Sequence, residues 1–138
     1  MFRKILTPVD LAHLGALDRA LEVSADMAKR HGAEIVYVGV TTQAPSAVAR
    51  TTEEYERKLS TFAATEGEKH GCKTSAHMVV SHDPAIDLNI NLMRATEEIG
   101  ADLIVMGTHI PGLAEHVWAS HGGAVASHAG VSVFLVRG

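Results

Sequence analysis

Residues 102–137 read DLIVMGTHIPGLAEHVWASHGGAVASHAGVSVFLVR. Two apolar runs, DLIVMG (102–107) and VSVFLVR (131–137), enclose a loop rich in glycine and small residues and a helical stretch from about 120 to 128. Runs this continuous suit strands covered on both faces, as in a parallel sheet, because a strand with one wet face alternates polar and apolar residues. A helix between two such strands makes a crossover unit, and the pair it joins is parallel.

The same unit recurs toward the N-terminus. RKILTPV (3–9) ends at Asp10, EIVYVGV (34–40) fades at Thr41, and TSAHMVV (74–80) is the least apolar of the strands. Residues 14–31 carry Leu14, Leu17, Leu21, Ala25 and Ala28 at helical spacing, with Gly32 as the stop. Residues 46–70 are expected as a second helix, with Val48, Tyr55, Leu59 and Phe62 inward and the pairs Glu53/Arg57 and Glu54/Lys58 outward. A third begins with Asp83 as N-cap and Pro84 at its first position and ends at Gly100; its apolar stripe is Leu88, Leu92, Ala95 and Ile99.

The order is βαβαβαβαβ. It predicts an α/β fold: an open five-stranded parallel sheet with helices on both faces, Rossmann-like. Residues 1–138 read as one domain, without linker, repeat or low-complexity segment. In strand order 3-2-1-4-5 the topology switches between the strands ending at Asp10 and Gly107, and such sheets bind ligands at that crevice.

Composition narrows the class. A 46% hydrophobic and 20% charged chain is globular. Its net charge of −4 argues against a nucleic-acid partner, which needs a basic face. No run approaches a membrane span. One cysteine, Cys72, excludes an internal disulfide and suits a reducing compartment. MFRKILTPVD is too short in its apolar part for a secretory signal, so a cytoplasmic protein is expected.

Two features at the crevice suggest chemistry. Helix starts leave N–H groups unpaired and attract phosphate. Ser120 either caps its helix or donates to a phosphate oxygen. Asp10 either forms a turn that caps the next helix or accepts hydrogen bonds from ribose hydroxyls or base amino groups. No Walker motif is present, so the chain is not a P-loop NTPase.

ILTPVDLA, GAEIVYVGVT, GADLIVMGTH and ASHGGAVASHAGVSVFLVR together resemble the universal stress protein (UspA) family, in order and spacing over essentially the whole chain. The resemblance implies the 3-2-1-4-5 sheet and a homodimer. Nucleotide-binding members carry G-x-x-G-x9-G-[ST]. Gly107 matches the first glycine, Ile110 replaces the second, and Ala119-Ser120 stands for Gly-Ser in a loop one residue shorter. The shortened loop, with Pro111 after Ile110, resembles the F/G-type subgroup, which lacks the second glycine and binds ATP. Ala119 for Gly and His121 for Asn are the remaining departures. A positive φ at Ala119 would cost about 1–2 kcal/mol. At about 1.4 kcal/mol per tenfold, that is an affinity loss of roughly five- to thirtyfold, not abolition. His121 can offset it as a donor, or as a cation below neutrality.

The resemblance assigns Pro8, Val9 and Asp10 to the adenine and ribose end, and the backbone of Val40 to the base. It packs Met106 and Gly107 on ribose and phosphate, and sets His109, Gly112, Ser120 and His121 around the phosphates, beside Ala119. ATP, with or without Mg²⁺, is the expected ligand.

The nine histidines show no zinc-ligand spacing. His31, His70 and His128 sit in last helical turns, where a cation is favourable. His109, His116 and His121 share the loop, and Trp118 is read as an anchor beneath it. VSVFLV (131–136) is an apolar edge strand, which needs a cover; a second copy related by a twofold axis supplies one. No nucleophile–base or carboxylate pair is evident. The expected function is therefore a dimeric ATP-binding regulatory switch of the stress response with an unidentified protein partner. At most it hydrolyses ATP slowly or autophosphorylates at Ser120 or Thr108. The alternative is a nucleotide-free dimeric interaction module; a small hydrolase or phosphotransferase is the third reading.

Overall fold

The computed structural model describes residues 1–83, 87–108 and 122–137. Five parallel strands form one sheet: β1 (Lys4–Pro8), β2 (Glu34–Thr41), β3 (Thr74–Val80), β4 (Leu103–Gly107) and β5 (Ser132–Val136). Their order is β3-β2-β1-β4-β5, as expected. The helices are α1 (Asp18–His31), α2 (Thr52–His70), α3 (Leu88–Ile99) and α4 (Gly122–His128).

Why the strands read as unbroken apolar runs is now plain. Successive side chains point to opposite faces of the sheet, and both faces are covered. Ile5, Ile35, Tyr37, Leu103 and Val105 pack with Leu17 just before α1, Leu21 of α1 and Leu59 of α2. Their neighbours Leu6, Val36, Val38, Ile104 and Met106 pack with Leu88, Leu92 and Val125 of α3 and α4. Within the three central strands, past their first residues, the few polar residues are buried ones such as Thr7.

Gly32, Gly71 and Gly100 end α1, α2 and α3 at φ of 65°, 69° and 69°. This left-handed conformation strains any residue with a Cβ, which is why glycine occupies each stop. The helix starts differ from expectation. Residues 14–31 are split into a 3-10 turn, Leu14–Leu17, and α1; Gly15, a weak helix former, lies in that turn. The helix expected from residue 46 starts at Thr52. Ser46 Oγ accepts from the N–H groups of Val48 and Ala49, each at 3.3 Å, and makes a separate turn. Thr51 then caps α2 by accepting from Glu54 N–H at 3.1 Å, while Glu54 reaches back to Arg50 N–H at 3.1 Å. The third helix starts at Leu88, preceded by Asp87 rather than Asp83. Asp87 N–H donates to the Asp83 carbonyl at 2.9 Å; residues 84–86 between them lie outside the described residues. The expected position of Pro84, and the start of the last helix at 120–121, lie outside the described residues.

Candidate functional site

The site follows from how three strands end. Along β1, Arg3 accepts from Glu34 N–H at 3.1 Å, and Val9 N–H donates to Val38 at 2.9 Å. Odd-numbered residues of β1 therefore turn their backbone groups to β2, and even-numbered ones, including Pro8, turn theirs to β4. Proline has no N–H to give. Pairing between β1 and β4 runs through Ile5–Leu103 and Leu6–Ile104 and is not registered at Pro8, although β4 continues to Gly107. The hydrogen-bonded pairing of the two strands thus ends before Pro8, beside the point where the strand order reverses.

β2 supplies the second wall. Thr41 accepts from Ser81 N–H at 2.8 Å on the β3 side, whereas Val38 bonds to β1. By the same alternation, the N–H and C=O of Val40 face β1, beyond the last β1–β2 bond. One donor and one acceptor lie side by side at the rim of the crevice, the pattern that reads the edge of a planar heterocycle.

Asp10 sits at the mouth. Its Oδ1 accepts from Ala12 N–H at 3.0 Å, and its Oδ2 lies 3.0 Å from Nδ1 of His13. The turn-forming role is therefore present. A carboxylate offers about four acceptor positions, so these contacts leave capacity for a ligand. Its side chain is 18% exposed. Behind it lies Tyr55, whose phenol is held up by burial and then by the charge of Asp10, so it is a neutral hydroxyl at any physiological pH. Tyr55 packs where Gly39 has no side chain; a Cβ there would run into its hydroxyl.

Of the expected site residues, Pro8, Val9, Asp10, Val40, Met106 and Gly107 come together at these strand ends. The side chains of Val9 and Met106 are fully buried in the two cores, and Pro8 is buried too. These three can offer a ligand only backbone. His109, Gly112, Ala119, Ser120 and His121 lie outside the described residues, as do Ile110, His116 and Trp118. Thr108 is 8% exposed, and its N–H and hydroxyl both donate to the Val136 carbonyl, at 2.8 and 3.3 Å. A hydroxyl so placed ties β4 to β5 and is a poor phosphate acceptor. His13 was not among the sequence candidates; its signal is the spacing of three from Asp10 across a turn.

Beside the mouth, a cleft of about 540 Å³ is lined by Leu11, Ala12, Val48, Lys58 and Phe62, among others. Lys58 Nζ donates to the Val48 carbonyl and pairs with Glu54 at 3.4 Å. Among the described residues no group of three or more His, Cys, Asp or Glu is placed to hold a metal ion, and no helix is long and apolar enough to cross a membrane.

Residues 1–137 match the model of the universal stress protein family. Universal stress protein G of Shigella flexneri is 23% identical over 148 residues, covering 99% of this chain and 100% of that one. A universal stress protein solved in complex with cAMP superposes with a TM-score of 0.69 at 18% identity, over 98% of this chain and 97% of the other. One from Archaeoglobus fulgidus, in complex with dAMP, gives 0.64 at 20% identity over 96% of each chain. At these identities the two structures establish a likeness of fold. The family match over nearly the whole length goes further: the chain belongs to the universal stress protein family.

Proposed function

We propose that the chain binds an adenine nucleotide, ATP first, in the crevice between β1 and β4 and serves as a regulatory protein rather than an enzyme. The observation that carries this reading is the end of β1–β4 pairing before Pro8, at the switch in strand order, with Asp10 and the free backbone face of Val40 beside it. Val40 takes the edge of the base. Asp10 takes a ribose hydroxyl or base amino group. The ribose and phosphates lie over Met106 and Gly107. Sequence resemblance assigns the phosphates, with any Mg²⁺ they bring, to His109, Gly112, Ala119, Ser120 and His121. Bound cAMP and dAMP in two structural relatives support the nucleotide class.

Titration of nucleotide-stripped protein with ATP and Mg²⁺ by calorimetry tests it, beside Asp10→Ala. Micromolar binding that the substitution weakens supports the reading. No binding near 1 mM, a free energy of about −4 kcal/mol, sinks it.

The second reading is a nucleotide-free dimeric interaction module. Its support is that both Asp10 oxygens are already engaged within their own loop, together with Ile110 and Ala119 in place of glycine. In either reading the protein is cytoplasmic and pairs through residues 131–136. β5 is an edge of the sheet, and Phe134 on it is 43% exposed. A second copy covers that edge, and the dimer relays the bound state to a further protein. Slow hydrolysis or autophosphorylation at Ser120 sets the upper limit on its chemistry.

A further inference from the structure

The turn after β1 ties Asp10 down from several sides. Its carbonyl accepts from His13 N–H at 3.0 Å, its Oδ1 accepts from Ala12 N–H at 3.0 Å, and its Oδ2 meets the His13 ring at Nδ1, also at 3.0 Å. The two backbone N–H groups close the turn by themselves, so the ring is an addition. His13 stands at the N-cap of the 3-10 turn Leu14–Leu17, yet its side chain makes no capping bond there and reaches back to the carboxylate instead. Both ends of this contact are anchored. Val9, just before Asp10, is fully buried, and Leu14, just after His13, packs on the same core. Ala16 N–H holds the His13 carbonyl at 3.1 Å.

What the ring adds is orientation. One donor on Oδ1 leaves the carboxylate free to swing about that bond. A second on Oδ2 fixes its plane, while roughly half of its acceptor positions stay open, in set directions. A group held this way before the ligand arrives loses less freedom on binding. Neutral imidazole carries one ring proton, and this contact requires it on Nδ1, since a bare nitrogen there would set its lone pair against the carboxylate.

We propose that His13 is a positioning residue of the nucleotide crevice: its Nδ1–H holds the Asp10 carboxylate in the orientation that meets a ribose hydroxyl or base amino group. This role rests on the reading of Asp10 as a nucleotide contact.

The test is ATP titration by calorimetry of wild type, His13→Ala and His13→Asn, each with and without Asp10→Ala, beside NMR of the His13 ring nitrogens. His13→Ala is expected to bind ATP roughly three- to tenfold more weakly, through the freedom returned to Asp10. His13→Asn places an amide N–H where Nδ1 stood, and is expected to return affinity to within about twofold of wild type. With Asp10→Ala present, neither His13 change moves the affinity further. In nucleotide-free protein at about pH 8, where imidazole is ordinarily neutral, the ring proton is expected on Nδ1, and Asp10→Ala shifts it toward Nε2. Wild-type affinity in His13→Ala, beside weakened binding in Asp10→Ala, overturns the role of His13 and leaves the nucleotide reading standing. A loss that His13→Asn does not restore, or that persists without Asp10, overturns it too, since the ring would then act on the ligand or the fold directly. Should His13→Ala fail to fold, a ring proton found on Nε2 in wild type overturns the proposal by itself. Absence of ATP binding by wild type removes both readings.

Discussion

His13 Nδ1 lies 3.0 Å from one oxygen of Asp10, and Ala12 N–H meets the other oxygen at 3.0 Å. The carboxylate thus shapes the turn that leads from β1 into α1 while it stands at the mouth of the crevice. One side chain carries a structural and a binding role, and two substitutions separate them. Asp10→Ala removes both and is expected to cost about 1 kcal/mol of stability, as for a lost cap. Asp10→Asn keeps an acceptor for Ala12 N–H, so its denaturant midpoint stays close to wild type. Its single oxygen is then used up, and ATP affinity falls about tenfold. Urea denaturation and calorimetry on both variants check this. Equal ATP affinity in wild type and Asp10→Asn would remove Asp10 from the site.

Two glycines predict opposite outcomes. A methyl group on Gly39 runs into the Tyr55 ring and hydroxyl, in a buried place with little room to yield. Gly39→Ala is expected to destabilise by about 1–3 kcal/mol. A Cβ on Gly107 would sit 3.6 Å from Leu17 and 3.7 Å from Ala20, ordinary packing distances. The fold therefore does not demand glycine there. Gly107→Ala is expected to melt within a few degrees of wild type yet bind ATP several-fold more weakly, because in the proposed binding mode the ribose and phosphates lie over that backbone. Thermal melts and ATP titrations compare the two. A Gly107→Ala protein with full affinity would argue that no ligand approaches that backbone.

How much of this was legible in the sequence depends on what each residue can do in only one way. Gly32, Gly71 and Gly100 announce helix ends because the left-handed backbone admits little else. The strand sequences around Ile5, Ile35 and Ile104 were legible because two covered faces favour apolar residues at successive steps, with a hydroxyl such as that of Thr7 admitted only where it finds a partner. Helix starts were not, since Ser46 and Asp83 make turns as readily as caps. At the site, Asp10 stood out by position, but its bonds to Ala12 and His13 depend on the path of the loop. The outward face of Val40 required the register: a shift of one residue would turn its backbone groups to β3.

Acid should weaken one contact at the opposite end of the sheet. Glu34 pairs with Lys4 at 3.3 Å and with Lys73 at 3.5 Å. Burial pushes its carboxyl up, but the two lysines together outweigh it and hold the pKa below the usual glutamate value. A depressed carboxylate stabilises the fold above its unfolded pKa, and the gain is lost as pH falls through the folded value. Glu34→Gln is therefore expected to be slightly less stable than wild type at pH 7. The difference narrows below about pH 4.3, as wild type loses the charge the variant lacks. Denaturant titrations at stepped pH measure it; a constant difference across that range would show that the two lysines contribute nothing.

The last prediction concerns polar groups beneath the crevice. Thr7 on β1 and Ser24 on α1 meet at 2.8 Å, both buried, and Ser24 donates to the Ala20 carbonyl at 2.8 Å. With the Ser24 proton spent on Ala20, Thr7 must be the donor and Ser24 the acceptor. Ser24→Ala leaves the Thr7 hydroxyl buried without its partner, at a cost of about 1–3 kcal/mol. Thr7→Val leaves Ser24 still bonded to Ala20, so it is expected to cost less. The double variant, with both hydroxyls gone, should be more stable than the two single losses summed. Coupling of at least about 0.5 kcal/mol is expected in a double-mutant cycle. Strict additivity would mean that the two hydroxyls do not share a bond in solution, and that α1 is held on β1 by apolar packing alone.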